Sequence, residues 1–344
     1  MPDRRTPLYG LTLCGLKELA AAEGLPSYAA GQLASWLYRR GATDLASMTD
    51  LPLAARARLA ERYEVGLEAP LDVAVSSDGT RKYLYRADGR YVESAYIPDG
   101  DRATLCVSSQ AGCRMGCRFC ATGRMGTGAN LSAGAILNQA ASLPERTSLT
   151  NMVYMGMGEP LDNPDEVLRS LEIITSPWGW GWSPARVTVS TVGVLPALER
   201  FLEGTEAALA VSLHSPFPDE RAALMPAEKA WPAAEVVKAI KRASLPRRRR
   251  VSFEYIVLRG VNDTPAHVKG LARLLGGLRC RINLIRYHSA PGMPWESPSR
   301  QEMAAFRDAL AAKGFTVTVR ASRGEDIRAA CGLLSTEKLT EGGL

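Results

Sequence analysis

Cys113, Cys117 and Cys120 are the residues of this chain whose type and spacing most directly imply chemistry. They form a Cys-x-x-x-Cys-x-x-Cys loop. Three thiolates this close together suit one soft metal centre. A cubane 4Fe–4S cluster has four irons, so three protein thiolates leave one iron open to another ligand. An amino group and a carboxylate can chelate that open iron and hold the rest of their molecule beside the cluster. A structural zinc site would want a fourth Cys or His close by. None lies near in sequence, and the chain has three histidines, His214, His267 and His288. A purely apolar role also fits poorly, because the loop is rich in Gly and Arg.

Further candidates lie where apolar runs end. The turn Gly156-Met157-Gly158-Glu159-Pro160 follows such a run. A glycine-rich turn at a strand end lets the backbone approach a ligand closely, so Gly158 and Glu159 are read as a cradle for the ligand's amino group. Ser190 ends the next run, and Ser212-Leu213-His214 ends the one after. They offer hydroxyls and an imidazole at one rim, although each serine reads equally well as a helix N-cap. Cys106 and Cys331, taken singly, read as inert buried thiols. Cys331 stands out because Ala329, Ala330 and Gly332 around it are small enough to admit a bulky partner. Cys14 and Cys280 read as ordinary core residues, and Glu93 on its own as a surface carboxylate.

Positioning these groups needs a particular order of elements. Residues 1–66 carry apolar residues at helical spacing, broken by Gly and Pro, and read as an N-terminal helical domain. Residues 67–100 alternate apolar and polar residues between Asp-Gly turns and read as a small β-meander connecting to the rest. Residues 101–344 alternate strand candidates with helical segments. That alternation implies parallel strands with crossover helices, an α/β fold of partial (β/α)6 barrel type. In such folds chemistry gathers at the C-terminal ends of the strands.

Composition bounds the partners. The chain has 344 residues, 46% of them hydrophobic, and a net charge of +6. This modestly basic balance permits RNA binding without proving it. The clearest basic run, Arg247–Arg250, reads equally as a solvated loop or a phosphate contact. Seven cysteines, an odd number, argue against a secreted disulfide framework. With no apolar signal region at the start and no long apolar run, a cytoplasmic protein outside the membrane is expected.

Several motifs in order carry a family resemblance: GQLASWLYRRG, VESAYIP, CVSSQAGCRMGCRFCATG, YMGMGEPLDN, VSTVGVLP, LAVSLHSP, FEYIVLRGVND and RGEDIRAACG. The chain resembles the RlmN/Cfr radical S-adenosylmethionine RNA methyltransferases over nearly its whole length. The resemblance implies a 4Fe–4S cluster on Cys113, Cys117 and Cys120, and two S-adenosylmethionine molecules per turnover. It implies cofactor contacts from Gly158, Glu159, Ser190, Ser212, Leu213, His214 and His288. Cys331 would become an S-methylcysteine, Cys106 would release the product by forming a transient disulfide with it, and Glu93 would accept a proton. The implied product is 2-methyladenosine in 23S rRNA and, in some members, in a tRNA anticodon loop. A monomer served by an electron donor such as flavodoxin is expected.

Alternatives are carbon 8 methylation of the same rRNA adenosine, a diverged paralogue with another RNA target, and an RNA-binding protein whose cluster is only structural. Three positions depart from the family pattern: His288 where Asn is common, Leu333 where Gln is common, and Gly134 near a usual acidic residue. Disulfide closure would need the Cα atoms of Cys106 and Cys331 to come within roughly 4.4–6.8 Å.

Overall fold

A computed structural model describes residues 5–126, 128–288 and 293–336. Its centre is a ten-stranded sheet. The strands are β1 (Asp72–Val75), β2 (Arg81–Ala87), β3 (Arg90–Asp99), β4 (Arg102–Cys106), β5 (Asn151–Tyr154), β6 (Val187–Thr191), β7 (Ala208–Ser212), β8 (Val251–Val257), β9 (Arg281–Arg286) and β10 (Thr316–Val319). They lie in sequential order, with β10 and β1 as its two end strands. From β4 to β10 every pairing is parallel, as the strand–helix alternation requires.

The meander is continuous with this sheet. β1, β2 and β3 pair antiparallel, and β3 pairs antiparallel with β4, setting Ala95 opposite Cys106. Seven parallel strands form the open, barrel-like part of the sheet, in keeping with the partial barrel expected from the strand–helix alternation.

Strand periodicity divides the two faces. On β4, Ala103 and Leu105 point into the apolar core, while Arg102, Thr104 and Cys106 line inner cavities. The core packs strand residues such as Leu105, Val189 and Leu209 with Ile136, Leu171, Leu198 and Val236 from the crossover helices. The inner face carries the chemistry. Among the described residues no helix is long and apolar enough to cross a membrane.

The N-terminal segment forms helices Leu13–Ala22, Ala29–Ala34 and Leu53–Arg62, and the second runs on as a π-turn over Ser35–Arg40. Thr6–Pro7 pairs with Tyr63–Glu64 and ties the two ends of the segment together. Cys14 is exposed on the first helix rather than buried in the core, and Cys280 is half-buried.

Two glycines let this segment dock against the sheet's first crossover helix, Ala133–Ala141. A Cβ on Gly134 would lie 2.3 Å from the Tyr9 carbonyl oxygen. A Cβ on Gly10, which has φ of 102°, would lie 2.4 Å from the Gly134 nitrogen. The Asn138 side chain then exchanges two hydrogen bonds with the Glu68 backbone, at 3.0 and 2.9 Å. Gly134, which departs from the family pattern in sequence, is therefore a close-approach position in this chain. Gly134→Glu should lower folding stability by about 1–3 kcal/mol by overpacking that junction. A denaturant titration reads the loss, and an unchanged midpoint would show that the junction yields.

Candidate functional site

The loop after β4 carries the three cysteines, and its shape is set by close backbone packing. Cys113 donates its N–H to the Gly126 carbonyl at 3.0 Å, and Cys120 donates to Cys117 at 3.1 Å. A Cβ on Gly123 would meet the Cys117 carbonyl oxygen at 2.8 Å, so the short helix Ala121–Arg124 presses onto the loop. Cys113, Cys117 and Cys120 line one cavity of about 150 Å³. The same cavity is lined by Gly158, Glu159, Ser190, Ser212, His214 and Cys331. Residues far apart in sequence thus meet at the C-terminal ends of β5, β6 and β7.

Among the described residues no three His, Cys, Asp or Glu side chains converge tightly enough to hold a single metal ion. The thiols instead ring a shared space, as ligands of a multi-iron unit must. Burial is the main cause that raises all three thiols, Cys113 to about 12 and Cys117 well above its ordinary value. Iron supplies the positive charge that lets buried thiolates form.

The turn after β5 lines the same cavity and is packed tightly against the strand end that precedes the cysteine loop. Gly158 has φ of 100°, and a Cβ there would strike the Gln110 side chain at 2.5 Å. The Glu159 carboxylate is already used: it accepts from Leu161 N at 3.0 Å and Val192 N at 2.9 Å. Burial pushes that carboxyl up to about 7 against these hydrogen bonds. Its side chain therefore joins the turns after β5 and β6, and backbone groups are left to face a ligand.

His214 has φ of 60°, unusual for a residue with a side chain. Its Nδ1 accepts from Ile256 N at 2.9 Å, which places the proton on Nε2 of the neutral ring. Burial, helped by nearby Arg221, pushes its pKa down to about 3. Leu213 is buried and does not line the cavity; it contributes its carbonyl to Arg221 at 3.1 Å. Arg221 is fully buried and also donates to the carbonyls of Val192 and Ser212, at 2.8 and 3.0 Å. Glu228 pairs with it. One guanidinium thereby pins the turns after β6 and β7.

Cys331 is exposed and lines a second cavity, of about 280 Å³, as well as the first. Cys106 lines this second cavity, so the two sulfurs share one space. Ala329 packs in one apolar cluster with Cys106, Ala95 and Val153. Both cysteines are free thiols here. Burial pushes the Cys106 thiol up to about 12, the facing Cys331 adds to the shift, and Arg320 opposes it.

Arg320 lines both cavities and was not apparent as a site residue in the sequence. Its strand signal is the alternation Thr316, Thr318, Arg320 on the inner face, but nothing local marks it as special. Arg320 Nη1 lies 3.3 Å from Glu254 Oε2 and 3.3 Å from Met155 Sδ. It places a fixed cation in both cavities, and that charge opposes the burial that raises Cys106.

Besides Leu213, two further expected site residues lie off the thiol-ringed cavity. His288 lines the second cavity but not the thiol-ringed one. Its Nε2 is 3.1 Å from Ser322 Oγ and its Nδ1 3.5 Å from Glu325. The residues that follow it, 289–292, lie outside the described residues. Glu93 is on β3, two positions along the same face from Ala95, and lines neither cavity. Its carboxylate is held by Lys82 at 2.9 Å and by Ser335 N at 2.9 Å.

Comparison with known proteins agrees with this geometry. Residues 107–274 match the Radical SAM superfamily, and residues 6–65 match the ribosomal RNA large subunit methyltransferase N-terminal domain. The chain is 56% identical over 98% of its length to a probable dual-specificity RNA methyltransferase RlmN of Parabacteroides distasonis, covering 98% of that protein. It is 42% identical over 96% of its length to the dual-specificity RNA methyltransferase RlmN of Geobacter sulfurreducens, covering 92% of it. A crystal structure of a radical SAM methyltransferase from Sphaerobacter thermophilus superposes with a TM-score of 0.88 at 42% identity, covering 96% of this chain and 99% of the other.

Removing the carboxylate that faces Arg221 should damage the site from beneath. Glu228→Leu leaves a buried guanidinium without its counter-charge and should cost about 3–5 kcal/mol of stability. Thermal unfolding of the variant measures this, and a loss below roughly 1 kcal/mol would mean that the carbonyls alone satisfy Arg221.

Proposed function

The chain belongs to the RlmN family of radical S-adenosylmethionine RNA methyltransferases, and from that premise we propose that it methylates carbon 2 of an adenosine in 23S rRNA and of an adenosine in a tRNA anticodon loop. The observation that carries this reading is that Cys331 faces the thiol-ringed cavity and the Cys106 cavity at once. Carbon 2 of adenine is an amidine carbon and a poor nucleophile. It does not attack a sulfonium methyl unaided, so methyl delivery needs a carrier on the protein.

Cys113, Cys117 and Cys120 would hold the 4Fe–4S cluster. The Gly158–Glu159 backbone, Ser190, Ser212 and His214 would orient S-adenosylmethionine beside it. Together, cluster and S-adenosylmethionine supply a carbon-centred radical when bound. The Cys331 thiolate takes a methyl group from a first S-adenosylmethionine, and a second activates that methyl for addition to the base. Arg320 favours the anionic form of the Cys106 sulfur against its burial. Addition to the base, with loss of the carbon 2 proton and of one electron to the oxidised cluster, would leave a sulfur–carbon–adenine bridge. The Cys106 thiolate then attacks Cys331 Sγ. A sulfur–sulfur bond forms, the bond from Cys331 sulfur to the bridging carbon breaks, and its electron pair leaves with that carbon, which takes up a proton to become the methyl group.

Glu93 is the proposed acceptor of the proton lost from carbon 2. To act, its carboxylate must exchange the Ser335 N–H for the RNA base. His288 remains a proposed cofactor contact that acts from the second cavity. A cytoplasmic monomer reduced by a flavodoxin-like donor completes the reading.

Reconstituted Cys331→Ala should keep the visible absorbance of the cluster and transfer no methyl group to RNA. Full methylation by that variant, scored with labelled S-adenosylmethionine under anaerobic conditions, would remove Cys331 from the reaction. Cys106→Ala should accumulate an RNA–protein adduct on a denaturing gel. Mass spectrometry of digested RNA identifies the product: 8-methyladenosine in place of 2-methyladenosine would overturn the assigned carbon.

A further inference from the structure

The inner face of the sheet opens at two ends, and the second opening meets the catalytic cavities only at a shared floor that includes Met155 and Arg320. At the N-terminal ends of the strands lies a cavity of about 420 Å³. Its rim carries Arg102, Arg247, Arg248, Arg250, Arg279 and Arg281. Arg102 and Arg281 are the first residues of β4 and β9, and Arg247–Arg250 lead directly into β8. The basic run noticed in the sequence is thus one part of a ring assembled from three separate segments.

These arginines do different work. Arg249 is buried and donates to the carbonyls of Leu202 and Ala207, at 2.8 and 3.0 Å, so it holds the loop. Arg248 pairs with Glu206 at the surface. Arg250 reaches the Ala185 carbonyl and Arg279 the Arg247 carbonyl. Among the described residues, Arg102, Arg247 and Arg281 have no carboxylate partner, and of these Arg102 also lines the Cys106 cavity. Burial and the positive charges of Arg102 and Arg281 together make the charged form of Arg250 harder to hold. The one carboxylate that lines the cavity, Glu254, is already bound to Arg320, Asn283 and Ser252. Like charges converging on a concave surface without counter-charge form a site for an anion. Guanidinium groups match phosphate oxygens by paired N–H donors.

We propose that this arginine ring binds backbone phosphates of the substrate RNA, at the opposite end of the strands from the cavity where the base is modified. The proposal rests on RNA being the substrate. Phosphate contacts position a nucleic acid without reading its sequence, so such an anchor would hold a large folded RNA while one adenosine enters the catalytic end. A short hairpin that fills only the catalytic end would not reach it.

The test uses cluster-loaded full-length protein, a long 23S rRNA transcript and a short hairpin containing the target adenosine. Arg247→Gln/Arg281→Gln removes two unpartnered charges that line neither catalytic chamber and leaves Arg249 in place. It should bind the long transcript roughly tenfold more weakly, and the log–log dependence of affinity on KCl should flatten by about 2, one unit per lost phosphate contact. Hairpin methylation and cluster absorbance should be unchanged. Arg247→Lys/Arg281→Lys should restore most of the salt dependence, which a folding defect would not. An unchanged slope for the long transcript would overturn the anchor. So would tripolyphosphate binding that the Gln variant abolishes without any change in the RNA slope, since the ring would then serve a free polyphosphate. Failure of the wild-type protein to methylate either RNA would sink the catalytic reading, and the salt slope would still decide the anchor.

Discussion

One residue lines two chambers, and the local backbone is what allows it. Cys331 borders the space ringed by the three thiols and also the space bordered by Cys106. A residue inside a strand or helix presents its side chain to one side only. Cys331 lies instead on an irregular segment between Arg328, with φ of 55°, and Gly332, with φ of 82°. Ala121 N donates to the Gly332 carbonyl at 2.7 Å, and Thr122 Oγ1 to the Leu334 carbonyl at 2.6 Å. The carrier segment is therefore fastened directly to the helix that follows the cluster loop.

The catalytic rim is stiffened by a few buried polar groups that tie neighbouring turns together. Arg221 gathers the turns after β6 and β7, and Glu159 joins those after β5 and β6. Asn262 donates to the His214 carbonyl at 2.8 Å and helps hold its strained backbone. Each such group is satisfied by backbone partners, so the loop ends keep their shape before any ligand arrives. The left-handed His214 is tolerated because its surroundings over-determine it.

What could be read from the sequence followed the range of the signal. The Cys-x-x-x-Cys-x-x-Cys loop and the Gly-x-Gly-Glu turn are compact, and the apolar runs before them gave the strands that carry them. The relation between the β-meander and the barrel was less legible, because local alternation does not say which strand pairs with β4. The Gly10–Gly134 junction and the grip of Ser335 on Glu93 were invisible for the same reason. Each depends on residues distant in the chain. His288 illustrates a limit of alignment by strand order. Ile285 ends the inward-facing series on β9 and lines both cavities, and three residues later the chain has left the strand's alternation and turned toward Ser322.

The partial barrel does not close on itself: β10 is an end strand, and β4 continues into the meander. The gap is bridged by the segment after β10. Asp326 accepts from Ser76 Oγ at 2.6 Å and Ser77 N at 3.1 Å, Asp78 accepts from Gly324 N at 2.9 Å, and Arg323 reaches Asp99 at 2.9 Å. A wall stitched by carboxylates can unfasten one contact at a time, with water taking each vacated partner. A backbone ladder at the same seam would have to unzip cooperatively. The seam between the last parallel strand and the meander is thus held by side-chain contacts to four acidic or hydroxyl groups rather than by a strand ladder.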